Sequence, residues 1–395
     1  MLKNSPHSDG IITHKRIFGL DLMRACSIIM VFLAHSAIMN PLNGHFLYLG
    51  WMGFGVEAFF VLSGFLIGRI ILKTLFRPGV NFQSIKVFWM NRWLRTIPAY
   101  FFTLIIYYAV NSVPRNSFTF WLFCQNLITP IPGFFVHSWS LAVEEWFYLI
   151  FPIFLWGITF TSPKRQSKLR TFMLGIVAFV LFGLVSKTLY HVLYKNGLLD
   201  YLLYKKLVFP SWNKFLTPHG HWDEMRKIVP FRIDAIAYGC LIAYCVEKFG
   251  GISKRHSIFL FLMGIVGLFG SYWILSETVA GSGANFFADV FLLPLFCVSF
   301  ALMIPFAIIC PEPNKFIHRI VTTVSLTSYS FYLIHFLILD SILESIFNVE
   351  GLTPGLKSIV LTGTYSTTFL ASYLMYRFIE IPFMNYRRRL SANMT

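Results

Sequence analysis

The segment IFGLDLMRACSIIMVFLAH, residues Ile17 to His35, decides how this chain is built. It continues in apolar residues to Met39, and about 20 mostly apolar residues rising 1.5 Å each are enough for one helix to cross a bilayer. Lys15 and Arg16 precede it, and Ala34-His35-Ser36 weakly resembles a signal-peptide cleavage site. Cleavage there would invert the charge bias of every later loop, so the segment is expected to stay as a first membrane helix. Three ionisable residues sit inside it: Asp21, Arg24 and His35. Such groups cost a few kcal/mol or more in the bilayer core, so each is a functional candidate. Arg24 and His35 are 11 residues apart, three helical turns plus about 20°, and therefore share one face roughly 16 Å apart along the axis. Asp21 lies one turn from Arg24 and can pair with it.

The rest of the chain repeats the pattern. Its 395 residues are 56% hydrophobic and only 13% charged, with a mean hydropathy of +0.65. A soluble surface cannot be covered with so few charges, so lipid must cover much of it, and disorder or a disulfide-stapled secreted domain is excluded. Ten apolar runs emerge, at Ile17–Met39, Trp51–Leu72, Ile97–Val113, Ser138–Phe160, Phe172–Tyr190, Phe231–Lys248, Ser257–Leu275, Phe286–Ile309, Ile320–Leu343 and Ser358–Ile381. Phe118–Ile131 is shorter, ends in TPIPG, and reads as a re-entrant or interfacial piece. The expected fold class is all-α, a polytopic membrane protein of about ten helices forming one domain over residues 1–395.

The net charge of +16, from 33 Lys and Arg against 17 Asp and Glu, would suggest nucleic acid in a soluble protein. Here the basic residues alternate with the apolar runs. With the N-terminus inside, twenty fall in cytoplasmic segments and eight in outer ones, six of these in the long loop 191–230. Both termini are therefore expected in the cytoplasm, with a short tail at 1–16 and a basic tail at 384–395, and no nucleic-acid partner. The six cysteines lack any CxxC spacing and read as small apolar packing. His219 and His221 lack a third ligand in register, so no metal is expected.

Depth arithmetic sorts the intramembrane ionisable residues into two layers. His35, Glu57, Glu144, Glu145 and His335 are expected near one outer level, and Arg24, Arg69, Arg92, Arg95, Arg377 and Glu380 on the inner side. Arg377 and Glu380, at (i, i+3), also read as a helix-end pair. Arg232 and Asp234 are two residues apart and must find other partners. Arginine forks suit a phosphate-bearing ligand, and a histidine near carboxylates suits general base catalysis on a hydroxyl. Together they describe a group carried from a cytoplasmic phosphorylated donor to an outer acceptor.

Seven strings in order, GLDLMRACSIIMVFLAH, GVEAFFVLSGFLIGR, NRWLRTIPAY, HSWSLAVEEWFYLIFP, FRIDAIAYGCLIAY, SYSFYLIHF and YRFIEIPF, resemble acyltransferase family three, the membrane O-acyltransferases that acetylate bacterial surface polysaccharides and related acceptors. The resemblance covers nearly the whole chain. It implies a multi-pass enzyme of the bacterial inner membrane that takes an acyl group, usually acetyl, from acyl-CoA to a hydroxyl of a surface glycan or lipid-linked sugar, such as lipopolysaccharide O-antigen. Carried over by motif, Arg24 and His35 form its Arg-x10-His pair and Arg92 and Arg95 its Arg-x-x-Arg element. Trp139, Ser140, Glu144, Glu145 and Tyr148 match its WSLxVEExFY block. Glu57 stands where many members have Asp, and Asn91 where an Arg is common. Residues expected to act on the donor are Arg24, Arg92 and Arg95; His35 is expected as base or transient acyl carrier, with Glu145 or Glu144 orienting it. Glu57, Trp139, Ser140, Tyr148 and His335 are expected at the substrate, with Tyr201, Trp212 and Trp222 of the outer loop as sugar-stacking residues. No hydrolase-like domain follows the last run, so direct transfer is the simpler expectation. The competing class is a proton-coupled transporter using the same buried groups, but no inverted repeat or paired Gly/Pro breaks are visible.

Overall fold

Helices follow the apolar runs. A computed structural model describes residues 16–36, 54–75, 82–114, 117–129, 133–161, 168–198, 225–280, 285–339 and 353–394. The loop aromatics Tyr201, Trp212 and Trp222, the pair His219 and His221, Asp340 and most of the N-terminal tail lie outside these residues. Among the described residues the order is α1 Phe18–His35, α2 Gly55–Thr74, α3 Phe82–Val110, α4 Trp139–Thr161, α5 Lys168–Lys195, α6 Asp234–Phe249, α7 Lys254–Ala280, α8 Leu293–Ile309, α9 Lys315–Leu337, α10 Pro354–Met375 and α11 Ile381–Met394, with no strand. Among the described residues nine helical stretches are long and apolar enough to cross a membrane. The tenth expected span corresponds to α10, 22 residues long but rich in Thr, Ser and Tyr, and it falls short of the nine in hydropathy. The chain is a multi-pass, all-α membrane protein.

One boundary moves in a way that matters for the site. α3 starts at Phe82, not near Ile97, so Arg92 and Arg95 lie inside a 29-residue helix, roughly 15–20 Å from its start. Phe118–Ile131 forms no spanning helix; its described part is a 3-10 turn, Ser117–Leu122, followed by bends. Asn126 ties that segment inward, donating to the carbonyls of Trp139 (3.0 Å) and Lys227 (2.6 Å).

α2 and α6 cross at the centre, where Gly64 meets Gly239. A Cβ on Gly64 would lie 1.9 Å from the Ile236 carbonyl oxygen, and one on Gly239 2.0 Å from that of Val61. Only glycine lets the backbones approach so closely, which is how membrane helices gain packing without a hydrophobic drive between them. Around this crossing Phe60, Val61, Phe65, Ile236 and Leu293 are buried, while Val185, Phe259, Val266 and Phe269 on α5 and α7 face outward, as lipid-facing surfaces require.

Candidate active site

A cavity of about 570 Å³ opens between α1, α2, α3, α4, α9 and the start of α11. Six cationic side chains line it: Arg16, Arg24, Arg69, Lys73, Arg92 and Arg95. Three carboxylates, Asp21, Glu144 and Glu380, share the lining. Asp21 is committed locally: it takes a fork from Arg16, Nε at 2.9 Å and Nη2 at 2.5 Å, and a hydrogen bond from Ser325 at 2.7 Å. Arg24 sits 3.8 Å from the same carboxylate, the pairing expected one turn apart, and keeps 18% of its side chain exposed.

Arg92 lies over the Tyr148 ring, 4.2 Å from its centre. Tyr148 donates to Glu144 at 2.8 Å and accepts from Ser63 on α2. Glu145 points elsewhere and accepts from Thr96 at 2.9 Å. This settles which carboxylate meets the cavity: Glu144 lines it and Glu145 does not. It also corrects two expectations. Neither carboxylate is hydrogen-bonded to His35, and Glu144 shares one cavity with Arg24, Arg92 and Arg95 instead of lying in a separate outer layer. The physical reason is the longer α3, which carries its two arginines deep, together with an α4 that begins from the buried turn Val136–Ser138.

Glu57 stands away from the cavity. It is fully buried in an ion pair with Arg232, with Cys297 beside it, and does not line the cavity. Asp234, next along, is paired with Lys187 at 2.6 Å, and His191 with Asp289 at 2.7 Å. The three pairs form a buried polar array linking α2, α5, α6 and the turn before α8. Removing one partner strands a charge, which costs about 3–5 kcal/mol. Lys187→Met is therefore expected to lower the melting temperature of the detergent-solubilised protein, and adding Asp234→Leu to recover most of the loss; equal melting of wild type and single variant would contradict this.

Arg377 and Glu380 do not pair. They fall in a π-helical turn, Tyr376–Glu380, whose extra residue turns Arg377 out to the surface and Glu380 inward to accept from Ser330.

The cavity ends at Ser140 and Tyr332. Their hydroxyls are 2.6 Å apart, and Tyr332 donates onward to the His137 carbonyl at 2.7 Å. Trp139, beside them on α4, is buried under the Arg226 guanidinium at 5.6 Å. One turn beyond Tyr332 comes His335, fully buried, and against it the exposed ring of His35, centroids 5.0 Å apart. His35 thus stands just past the cavity's end and does not line it. A third ring, His137, packs on His335 at 5.1 Å and was not singled out from the sequence. A histidine opening the HSW string before an apolar run was the available signal. Among the described residues no group of three His, Cys, Asp or Glu is arranged to hold a metal ion.

Fold and site together define a multi-pass membrane protein with a cation-lined cavity running toward an intramembrane histidine cluster. The family profile described as an acyltransferase domain matches residues 17–377, and the chain belongs to that acyltransferase family. It is 26% identical over 397 residues to O-acetyltransferase OatA of Staphylococcus aureus (strain NCTC 8325 / PS 47), covering 92% of this chain and 56% of that protein. A putative O-acetyltransferase of Staphylococcus aureus (strain COL) is 25% identical over 395 residues, covering 92% and 57%. The chain thus spans a little over half the length of these curated relatives. No solved structure matches.

Proposed function

We propose that this protein is an O-acetyltransferase moving acetyl from acyl-CoA at the cytoplasmic face to a hydroxyl of an outer carbohydrate acceptor, across a bacterial inner membrane with both termini inside. The cavity carries this reading: six cations against three carboxylates, one of them already neutralised by Arg16, favour a polyanion such as the phosphates of coenzyme A. Arg92, Arg95 and Arg24 hold the phosphates. The pantetheine arm runs along Tyr148 and Glu144 to the hydroxyls of Ser140 and Tyr332, where the acyl end passes to His35. Trp139 borders the acceptor's end, His335 stands behind His35, and Glu57 supports that end through the α2 packing around Arg232.

The step balances without metal or redox chemistry. With His35 as base, the acceptor's O–H proton goes to the imidazole, the oxygen attacks the thioester carbonyl, the C–S bond breaks, and the thiolate takes the proton back. With His35 as carrier, its nitrogen attacks the thioester carbonyl and the C–S bond breaks to release the thiolate; the acceptor oxygen then takes the acyl group as the N–acyl bond breaks, and its proton goes to the thiolate.

The test uses inside-out membrane vesicles bearing the full chain, given acetyl-labelled acetyl-CoA. Free CoA should appear, with label on material in the vesicle lumen. Release of no CoA, or uptake of label without thioester cleavage, would overturn the reading.

A further inference from the structure

The buried side of His35 carries more information than its exposed side. Its Nδ1 lies 2.9 Å from the Val31 carbonyl oxygen and 3.2 Å from Nε2 of His335. His335 Nδ1 lies 2.8 Å from the Tyr332 carbonyl oxygen. A carbonyl oxygen only accepts, so His335 carries its hydrogen on Nδ1 and, when neutral, presents a lone pair at Nε2. The Val31 carbonyl likewise demands a hydrogen on Nδ1 of His35, since a lone pair there would face another lone pair. That N–H is then shared between two acceptors, Val31 and His335. His35 is thereby held as the Nδ1–H tautomer, with its lone pair on Nε2.

We propose that His335 is the positioning residue of this site, fixing the tautomer and ring orientation of His35 where hydrolytic dyads use a carboxylate, and that His137 braces it. The inference rests on the acyl-transfer reading above. His137 donates from Nε2 to the Leu333 carbonyl at 3.0 Å and receives the Tyr332 hydroxyl on its own carbonyl, so it clamps the α9 turn from which His335 projects. When His35 Nε2 takes the proton of an acceptor hydroxyl, the charge that develops on the ring is met by the Val31 carbonyl and the His335 lone pair at Nδ1. The same proton later leaves Nε2 for the CoA thiolate, and His335 gains and loses none. Its burial fits this role: at 0% exposure it reaches the reaction only through His35. The carboxylates Glu144 and Glu145 are engaged with Tyr148 and Thr96, so neither does this work.

The test compares His335→Leu with His335→Gln in the same vesicles. Leu removes the acceptor, whereas the Gln side-chain oxygen reaches the place of Nε2. His335→Leu should lower kcat about 100-fold with little change in KM for acetyl-CoA, and Gln should regain about tenfold of it. Turnover of the Leu variant within twofold of wild type, or a Gln variant no better than Leu, overturns the proposal. Should both variants fail to fold, the wild type still decides: ¹⁵N-histidine solid-state spectra, with the His35 signal assigned by its loss in His35→Gln, should show a hydrogen on Nδ1, and one on Nε2 overturns the proposal. A wild type that releases no CoA would instead sink the acyl-transfer reading, whichever tautomer the spectra show.

Discussion

Replacing His35 by Ala is expected to abolish acyl transfer while leaving expression and melting near wild type. The two halves of that result have separate causes. His35 is exposed at the last turn of α1 and its ring packs on His335 and Phe336, so truncating this exposed side chain opens no cavity in the core. Chemically, neither described histidine beside it replaces it as a base: His335 has Nδ1 committed to Tyr332 and is fully buried, and His137 donates to Leu333 from a buried position. A positioned base contributes roughly 10²–10⁴-fold, and loss of an acyl carrier would be at least as severe. CoA release within tenfold of wild type would remove His35 from the chemistry. A loss of turnover accompanied by a fall in melting temperature would point to a packing role in its place.

How much of this was legible beforehand differs residue by residue. The apolar runs gave the helices, because bilayer thickness imposes a length that no soluble core does. The Asp21–Arg24 pair was legible because it is local to one turn. The depth of Arg92 and Arg95 was not: a search for apolar windows stops at charges, so it cut α3 at Ile97 and put the arginines outside the helix that carries them. Glu57 misled for the opposite reason. Its partner Arg232 is 175 residues away, and no local pattern separates a buried ion pair from a substrate carboxylate. The (i, i+3) rule failed for Arg377 and Glu380 because it assumes 3.6 residues per turn, and a π turn breaks that spacing. Arg24 and His35 lie on one unbroken helix, yet only Arg24 lines the cavity.

The second large effect is expected on the donor. In the double variant Arg92→Ala and Arg95→Ala, the apparent KM for acetyl-CoA should rise about 100-fold, with kcat changing much less. Each charge-assisted hydrogen bond to phosphate is worth about 1.5–3 kcal/mol, and four other cations remain in the cavity to compensate in part. The cluster is built at a cost that only a polyanion offsets. Arg387, on the basic α11, donates to the Asn91 carbonyl at 3.2 Å, and its guanidinium is held below its usual range by burial and by Arg95, Arg92 and Arg388. It brings a further cation to the edge of the cluster beside Asn91. So much like charge in one place repels itself until phosphates arrive, and the wild-type KM should accordingly climb with ionic strength. Arg92→Lys should recover little, because an ammonium lacks the planar fork and stacks poorly on Tyr148. A double variant whose defect appears only in the acceptor KM would place these arginines on the other substrate and reverse the direction assigned to the cavity.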